Sequence, residues 1–186
     1  SVGSEMCIRD SFKGNLHWEQ LVALVEKEHE SLAFVAIEIS NNAAGGAPIS
    51  IQHLTKVKEL LKNYNIPLIM DGTRVLENAK FVIENEKEYA GKTIWEVAQK
   101  IYSFADAVWA SLPKDFCVNK GGIVATNDDK LFHKVQDAIE DEGVGLDIID
   151  KKLIATSFEN KHIIEKRIAN RMECVKIIHN TLKNQG

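Results

Sequence analysis

The stretch Ala107-Val-Trp-Ala-Ser-Leu-Pro-Lys-Asp115 leads from a short apolar run to a single lysine that follows a proline. The apolar run predicts a strand over Ala107–Ala110, and the proline-containing segment after it predicts a loop. In open α/β sheets, functional groups lie on the loops that leave the carboxyl ends of the strands. Lys114 is therefore the first candidate for a reactive residue of this chain.

Composition excludes several classes of protein. The chain has 186 residues, of which 45% are hydrophobic and 27% are charged, as is typical of a single globular domain. Its formal net charge of -4, without a basic run, argues against nucleic acid as a partner. No apolar stretch approaches the roughly 20 residues that cross a bilayer, so we expect no membrane partner. The widely spaced Cys7, Cys117 and Cys174 predict reduced thiols in a cytoplasmic protein.

Strand-like and helix-like segments alternate along the chain. Nearly continuous apolar runs predict buried strands over residues 32–39, 66–70, 107–110 and 123–126, the last one antiparallel to its neighbour. Helical spacing predicts helices over residues 18–30, 51–64, 76–85, 93–104, 127–140 and 153–183. Ser50 is the expected N-cap of the second helix, and Thr93 with Glu96 is the expected cap of the fourth. The acidic, glycine-containing segment 141–150 is expected to be a loop, and the lysines and arginines of the last helix a solvated face. The alternation predicts an α/β fold with a mostly parallel sheet.

The two ends of the sequence predict a fragment of a larger protein. Residues 1–11 begin without methionine and have no periodicity, so we expect a non-native or disordered leader there. Residues 12–152 are then expected to form the globular part, and residues 153–186 a long helix that leads towards a further domain.

Three polar residues, Asn42, Asp71 and Lys114, each lie at or just after the end of a predicted strand. A lysine whose amine becomes neutral forms a Schiff base with an aldehyde such as pyridoxal phosphate. That cofactor also requires a carboxylate at its ring nitrogen and hydrogen-bond donors at its phenolic oxygen and phosphate. Asp71 could serve the nitrogen, Asn42 and Arg74 the phenolic oxygen, and Ser111 the phosphate.

Simpler interpretations exist for every residue of this set. Lys114 could be an ordinary surface lysine, and Asp71 could cap the helix that follows its strand. The remaining residues could be turn formers or members of a solvent-facing ion pair: Asn42, Ser111 and Arg74. From spacing alone, a pocketed α/β domain is well supported and the cofactor stays open.

Three ordered motifs resemble the β-eliminating lyases, the family of tryptophanase and tyrosine phenol-lyase. They are Asn42-Ala-Ala-Gly-Gly-Ala-Pro-Ile-Ser50, Asp71-Gly-Thr-Arg-Val-Leu-Glu-Asn-Ala79, and Ser111-Leu-Pro-Lys-Asp115 with Val118-Asn-Lys-Gly-Gly122. The resemblance extends over residues 32–140. It implies an aspartate-aminotransferase-like, fold type I large domain that binds pyridoxal phosphate through residues 12–152. Residues 153–186 would then form the long helix towards the small domain.

The resemblance also implies roles for individual residues. Lys114 would be the internal aldimine lysine and the acid and base at Cα. The other cofactor contacts would come from Asp71 at the ring nitrogen, Asn42 and Arg74 at the phenolic oxygen, and Ser111 at the phosphate. The implied reaction is β-elimination of an aromatic amino acid, tryptophan or tyrosine, to pyruvate and ammonia.

Further implications of the resemblance are a potassium ion bound by the backbone carbonyl of Asn119 and a homotetramer. Leu112-Pro113 stands where the family typically has Gly-Lys, and Gly143–Asp150 replaces a glycine- and arginine-containing segment, which leaves the substrate open. The phosphate-binding loop, the stacking aromatic residue and the carboxylate-binding arginine have no counterpart, so we expect the fragment to be inactive alone. The alternatives are a threonine-aldolase-like enzyme of the same fold type and a non-catalytic, truncated α/β domain.

Overall fold

The computed structural model describes residues 12–143 and 145–184, which form a four-stranded sheet flanked by helices. The strands are β1 (Val35–Glu38), β2 (Leu68–Asp71), β3 (Ala107–Ser111) and β4 (Gly122–Thr126). The helices are α1 (Trp18–Glu28), α2 (Ile51–Asn63), α3 (Val75–Asn85), α4 (Ile94–Tyr102), α5 (Leu112–Asp115), α6 (Asp129–Glu142), α7 (Ile148–Glu159) and α8 (Lys161–Lys183). The expected leader, residues 1–11, lies outside the described residues.

The strands lie side by side in chain order, β1-β2-β3-β4. The pairs β1–β2 and β2–β3 are parallel, and β4 runs antiparallel to β3. The predicted α/β fold with a mostly parallel sheet is therefore confirmed, as is the direction of the last strand. The register places Glu38 opposite Asp71 and Asp71 opposite Trp109, so the ends of three strands are neighbours.

The expected start signals of two helices are present as hydrogen bonds. The Ser50 side chain caps α2 by accepting a hydrogen bond from the His53 backbone N–H at 3.0 Å. At α4, the Thr93 hydroxyl accepts from the Glu96 N–H at 3.2 Å, and the Glu96 carboxylate accepts from the Thr93 N–H at 2.8 Å. This reciprocal pair satisfies backbone donors that the first turn of a helix leaves unpaired.

The core lies between the sheet and the helices packed on it. Leu68 and Met70 of β2 have no exposed surface, and neither do Leu54 and Leu61 of α2 or Val97 of α4. Complete burial of such a side chain contributes roughly 1.5–3 kcal/mol. No helix within the described ranges is both long and apolar enough to cross a membrane.

The first strand differs from its prediction as a strand buried on both faces. Ile37 is buried, whereas Ala36 is exposed and Val35 and Glu38 are half-buried. β1 forms one edge of the described sheet, with β2 as its hydrogen-bonded neighbour. The apolar run therefore predicted more burial for β1 than the structure shows.

The C-terminal part contains two helices where one helix over residues 153–183 was predicted. Asn160 separates α7 from α8: its side-chain Nδ2 donates to the Thr156 carbonyl at 2.8 Å, which competes with continuation of the helix. The predicted loop 141–150 is shorter than expected, because α6 continues to Glu142 and α7 begins at Ile148. Gly143 ends α6 with a left-handed conformation (φ 62°), and the Asp147 side chain caps α7.

The first half of α8 packs on the core and the second half does not. Ile164 and Ile168 are 1% and 0% exposed, respectively. Val175, Ile178 and Leu182 further along are more than half exposed. The anchoring residues lie four positions apart, so a single apolar stripe holds the helix against the domain.

Candidate functional site

The candidate site lies where β1, β2 and β3 end. Because these strands are parallel, their carboxyl ends meet at one edge of the sheet. Glu38, Asp71 and Ser111 are the last residues of the three strands. Asn42, Arg74 and Lys114 follow within four residues of those ends, as the strand predictions require.

Lys114 lies in the short helix α5, directly after β3. Its side-chain Nζ donates a hydrogen bond to the Ser111 Oγ at 3.1 Å, and both residues are half-buried. Leu112 and Phe116 on either side are 1% and 4% exposed, so the turn is anchored in the core. Pro113 lies in the first turn of α5, where its missing N–H leaves no hydrogen bond unmade. Lys114 therefore lies half-buried on an anchored turn, and its reactive role stays a prediction.

Asp71 is oriented by the turn that follows it. Its Oδ1 accepts a hydrogen bond from the Thr73 backbone N–H at 3.0 Å, a local turn that precedes α3. The residue at the cap position of α3 is Arg74, so Asp71 does not cap that helix. Among the described residues no hydrogen bond reaches the second carboxylate oxygen of Asp71, although the residue is half-buried.

Thr73 joins the two strand ends and was missed by sequence reasoning. Its Oγ1 accepts a hydrogen bond from the Ser111 backbone N–H at 2.9 Å, while its own N–H holds Asp71. Thr73 is 6% exposed. One buried threonine therefore connects the candidate ring-nitrogen partner, Asp71, to the turn that carries Lys114. The sequence signal that could have identified Thr73 is its position in the Asp-Gly-Thr-Arg motif.

Tyr102 supports the Asp71 turn from α4. Its hydroxyl donates to the Gly72 carbonyl at 3.1 Å, and its ring occupies the space that a Cβ on Gly72 would need. Burial, with smaller contributions from Asp115 and Asp71, raises the pKa of the Tyr102 hydroxyl. The hydroxyl therefore stays a neutral donor at physiological pH.

Asn42 and Arg74 form the second group of the site. Arg74 Nε donates to Asn42 Oδ1 at 2.9 Å, and Asn42 Nδ2 donates to Glu38 Oε1 at 2.9 Å. Arg74 also pairs with Glu77, at 3.0 Å between Nη1 and Oε2. Asn42 is thus more than a turn former, and Arg74 is a partly buried link between the Asn42 loop and α3.

A buried asparagine fixes the loop that carries Asn42. Asn78 of α3 is completely buried, and its Nδ2 donates to the Ile49 carbonyl at 3.0 Å. Its Oδ1 accepts from the Ile49 N–H at 2.8 Å. Within the loop, Gly45 and Gly46 both adopt φ of 76°, a conformation that favours glycine.

A cleft of about 730 Å³ opens beside Asn42 and Arg74. Its walls come from the Gly45-Gly46 loop, from α3 and from α8. The cleft therefore places both side chains next to space that a small molecule could enter.

Arg171 of α8 reaches α5, Leu112–Asp115, which carries Lys114 and is called the lysine turn below. This contact is contrary to the expected solvated face of α8. Its Nη1 donates to the Lys114 carbonyl at 3.1 Å, and its Nη2 lies 2.6 Å from Asp115 Oδ1. The other Asp115 oxygen accepts from the Leu76 N–H at 3.1 Å. Burial and the nearby Glu77 raise the pKa of the fully buried Asp115 carboxyl, whereas Arg171 opposes that rise.

Asn119 is not joined to these groups. It is exposed, five residues after Lys114, and no hydrogen bond within residues 12–143 and 145–184 connects it to either group. In the same part of the chain, no cluster of three or more His, Cys, Asp or Glu side chains could hold a metal ion. The structure thus brings together Asp71, Ser111 and Lys114 in one group, and Asn42 with Arg74 in another.

The sequence is similar to known proteins over most of its length. Residues 3–186 match the family model of the beta-eliminating lyases. The chain is 34% identical to a tyrosine phenol-lyase of Clostridium tetani over 181 residues, which is 94% of this chain and 39% of that protein. It is 34% identical to a tryptophanase of Salinibacter ruber over 128 residues, covering 69% of this chain and 27% of the tryptophanase. The chain thus spans about two fifths, or less, of the length of these relatives.

Solved structures share the fold. A candidate L-allo-threonine aldolase of Listeria monocytogenes superposes with a TM-score of 0.58 at 22% identity, over 80% of this chain and 38% of the other. A second structure, a candidate aromatic amino acid β-eliminating lyase/threonine aldolase of an Exiguobacterium species, gives 0.54 at 18% identity, over 71% and 35%. At these identities the likeness establishes the fold and confirms the fold type I expectation. Because the family model covers nearly the whole sequence, the chain belongs to the β-eliminating lyases, a family of pyridoxal-phosphate-dependent enzymes.

Proposed function

We propose that this chain carries the lysine-bearing part of a carbon–carbon lyase that eliminates the side chain of an aromatic amino acid, tryptophan or tyrosine. Pyruvate and ammonia would be the other products. The similarity to a tyrosine phenol-lyase and a tryptophanase supports this reaction. The observation that carries the proposal is the Lys114–Ser111 contact, tied through Thr73 to the Asp71 carboxylate.

The residues present fit pyridoxal phosphate. An aldehyde requires an amine, which Lys114 provides beside a hydroxyl. A protonated ring nitrogen requires an anionic partner, and Asp71 has a carboxylate oxygen without a hydrogen bond among the described residues. Arg74 uses two N–H groups on Asn42 and Glu77, and a guanidinium has five, so donors remain for a phenolic oxygen.

Each side chain then has a defined task. When bound, the cofactor supplies an electron sink that stabilises a carbanion at Cα of the amino acid. Asp71 would hold the positive charge of the ring nitrogen, and the Thr73 N–H fixes the orientation of its carboxylate. Asn42 and Arg74 would donate to the phenolic oxygen, and the Ser111 hydroxyl to the phosphate. Lys114 would take the proton from Cα and return it.

The segment next to Ser111, where the phosphate would bind, departs from the family pattern. Leu112 stands where the family has a small residue and Pro113 where it has a lysine. Leu112 is 1% exposed, and its N–H donates to the Gly121 carbonyl at 3.0 Å. Ser111 at the end of β3 therefore offers the phosphate a hydroxyl, and α5 has no cation besides Lys114.

Three further parts of the proposal rest on the family resemblance alone. They are a potassium ion at the Asn119 carbonyl, assembly as a homotetramer and a cytoplasmic location. The boundary between a large-domain part, residues 12–152, and residues 153–186 is likewise a proposal.

Reductive labelling tests the lysine assignment directly. The chain is mixed with pyridoxal phosphate and reduced with borohydride, and peptide mass spectrometry locates the pyridoxyl group. We expect labelling at Lys114, lost in Lys114→Ala and retained in Lys120→Ala. Lys120 is a suitable control because its side chain is 62% exposed on the loop that follows α5. Label spread over exposed lysines, with no preference for Lys114, would favour a non-catalytic domain.

Product analysis tests the reaction. The longest polypeptide in which this sequence is expressed is incubated with cofactor and with tryptophan, tyrosine or threonine. Pyruvate and ammonia with indole or phenol support the proposal. Glycine with an aldehyde would overturn it in favour of an aldolase of the same fold.

A further inference from the structure

Arg171 contacts the lysine turn at two points and α3 at a third. Its Nη1 reaches the Lys114 carbonyl at 3.1 Å, its Nη2 reaches Asp115 Oδ1 at 2.6 Å, and its Nε lies 2.5 Å from Glu77 Oε1. The two Nη contacts are hydrogen bonds, whereas the Nε contact is an ion pair without hydrogen-bond geometry. A guanidinium is planar and rigid, so these two hydrogen bonds and one ion pair fix its orientation. The turn that carries Lys114 is thereby held by an arginine that lies 57 positions later, on α8.

Asp115 transmits this restraint to its neighbour in sequence. It is fully buried, and its second oxygen accepts from the Leu76 N–H at 3.1 Å, in the first turn of α3. Without Arg171, this carboxylate would keep the Leu76 N–H as its one remaining partner among the described residues. A buried carboxylate that loses its cation either takes up a proton or moves towards water. The first change leaves the Lys114 carbonyl without its hydrogen bond from Arg171, and the second would also displace the backbone of Lys114.

Glu77 connects the same guanidinium to the second group of the site. One Glu77 oxygen faces Arg171, and the other lies 3.0 Å from Arg74 Nη1. Arg74 in turn donates to Asn42. Polar contacts therefore run without interruption from the lysine turn through Arg171, Glu77 and Arg74 to Asn42.

We infer that Arg171 is a positioning residue for Lys114, which it holds in register with the Arg74–Asn42 pair. The inference rests on the proposed function, in which Lys114 bonds the cofactor aldehyde. Attachment of α8 does not depend on this arginine, since Ile164 and Ile168 anchor the helix in the core. The geometry of the lysine turn and the stability of the fold can therefore be separated experimentally.

The test compares Arg171→Lys and Arg171→Gln with Arg167→Gln. Arg167 is exposed, lies one turn earlier on α8 and has no side-chain hydrogen bond among the described residues, so it is the matched control. Arg171→Lys keeps a cation beside Asp115 but cannot span Lys114, Asp115 and Glu77 together. It is the variant expected to stay folded.

Two measurements report on the lysine turn, and urea unfolding reports on stability. The first is the rate of borohydride-stable pyridoxyl labelling at Lys114 relative to the other lysines. The second is the visible circular dichroism of the bound, unreduced cofactor, which depends on a fixed orientation. A misplacement of about 1 Å lowers reactivity about a hundredfold in a catalytic site. We expect at least a tenfold loss of relative labelling in both Arg171 variants, weaker dichroism, and wild-type behaviour in Arg167→Gln.

The outcomes distinguish this inference from the proposed function. If the wild-type chain is not labelled at Lys114, the proposed function fails, and the inference fails with it. If the wild-type chain is labelled and Arg171→Lys matches it within twofold, with unchanged dichroism, the positioning role is overturned while the proposed function stands. A lower urea midpoint with unchanged labelling would likewise assign Arg171 to stability alone.

Discussion

Replacement of Asn78 by leucine tests how the Asn42 loop is held. Asn78 is completely buried in α3, and its amide pairs with both backbone groups of Ile49, at 2.8 and 3.0 Å. It also accepts a longer hydrogen bond, 3.4 Å, from the Ser40 hydroxyl. Asn78→Leu fills a similar volume without polar atoms, so it removes these bonds and leaves little cavity.

The expected cost follows from the groups left behind. The N–H and the carbonyl of Ile49 would both be buried without a partner, at about 1–3 kcal/mol each. The Ser40 hydroxyl can rotate to another acceptor, so it adds little. We therefore expect the free energy of unfolding to fall by about 2–6 kcal/mol, against a total stability of about 5–15 kcal/mol for a typical domain.

Urea unfolding followed by tryptophan fluorescence measures this difference. The control is Asn85→Leu, the same substitution at the exposed end of the same helix, where the amide bonds the Phe81 carbonyl. A surface change of this kind stays within about 0.5 kcal/mol. If Asn78→Leu also lay within 1 kcal/mol of the wild type, the buried amide would not be what holds the loop.

Substitutions at three other positions test single contacts. Thr73→Val keeps the shape but leaves the Ser111 N–H without its acceptor, so urea unfolding should show a loss of about 1–2 kcal/mol. Thr73→Ser keeps the acceptor and should retain labelling at Lys114. Gly72→Ala forces a methyl group into the Tyr102 ring, and thermal unfolding should report about 1–3 kcal/mol of overpacking. Hydrogen bonds at the start of α4 hold the pKa of Glu96 below its ordinary value of 4.5. The stability difference between wild type and Glu96→Gln should therefore be full above pH 4.5 and disappear as the pH falls through the lower folded pKa. A pH-independent difference would contradict this assignment.

The fold was predictable where it depends on local patterns. Apolar runs located β2 and β3, and the Ser50 and Thr93 caps marked the starts of α2 and α4. Two predictions near the C-terminus, the bounds of the loop 141–150 and the single helix 153–183, are wrong because residues at helix ends were misassigned. Gly143 and Asp147 were interpreted as parts of one long loop, although they end one helix and begin the next. Asn160 was placed inside a helix that its side chain interrupts.

The site was predictable only for residues that follow strand ends. Asn42, Asp71 and Lys114 follow from that rule, whereas Asp115 and Arg171 meet only through folding, 56 positions apart. No periodicity signals such a contact, and one arginine among the charged residues of α8 has no distinguishing mark. Arg171 does lie three residues after Ile168 and beside Met172, so its position relative to the buried stripe of α8 was a usable hint.

The order of the strands has a consequence for synthesis on the ribosome. Each strand pairs with the one made just before it, so the sheet can grow as the chain emerges, with partners 33 residues apart in β1–β2 and 38 residues apart in β2–β3. The contact from Arg171 to Asp115 is different, since it closes over 56 residues. At about 5–20 residues per second, translation takes about 3–11 seconds to cover that distance. The strand ends can thus be assembled seconds before α8 contacts the turn that carries Lys114.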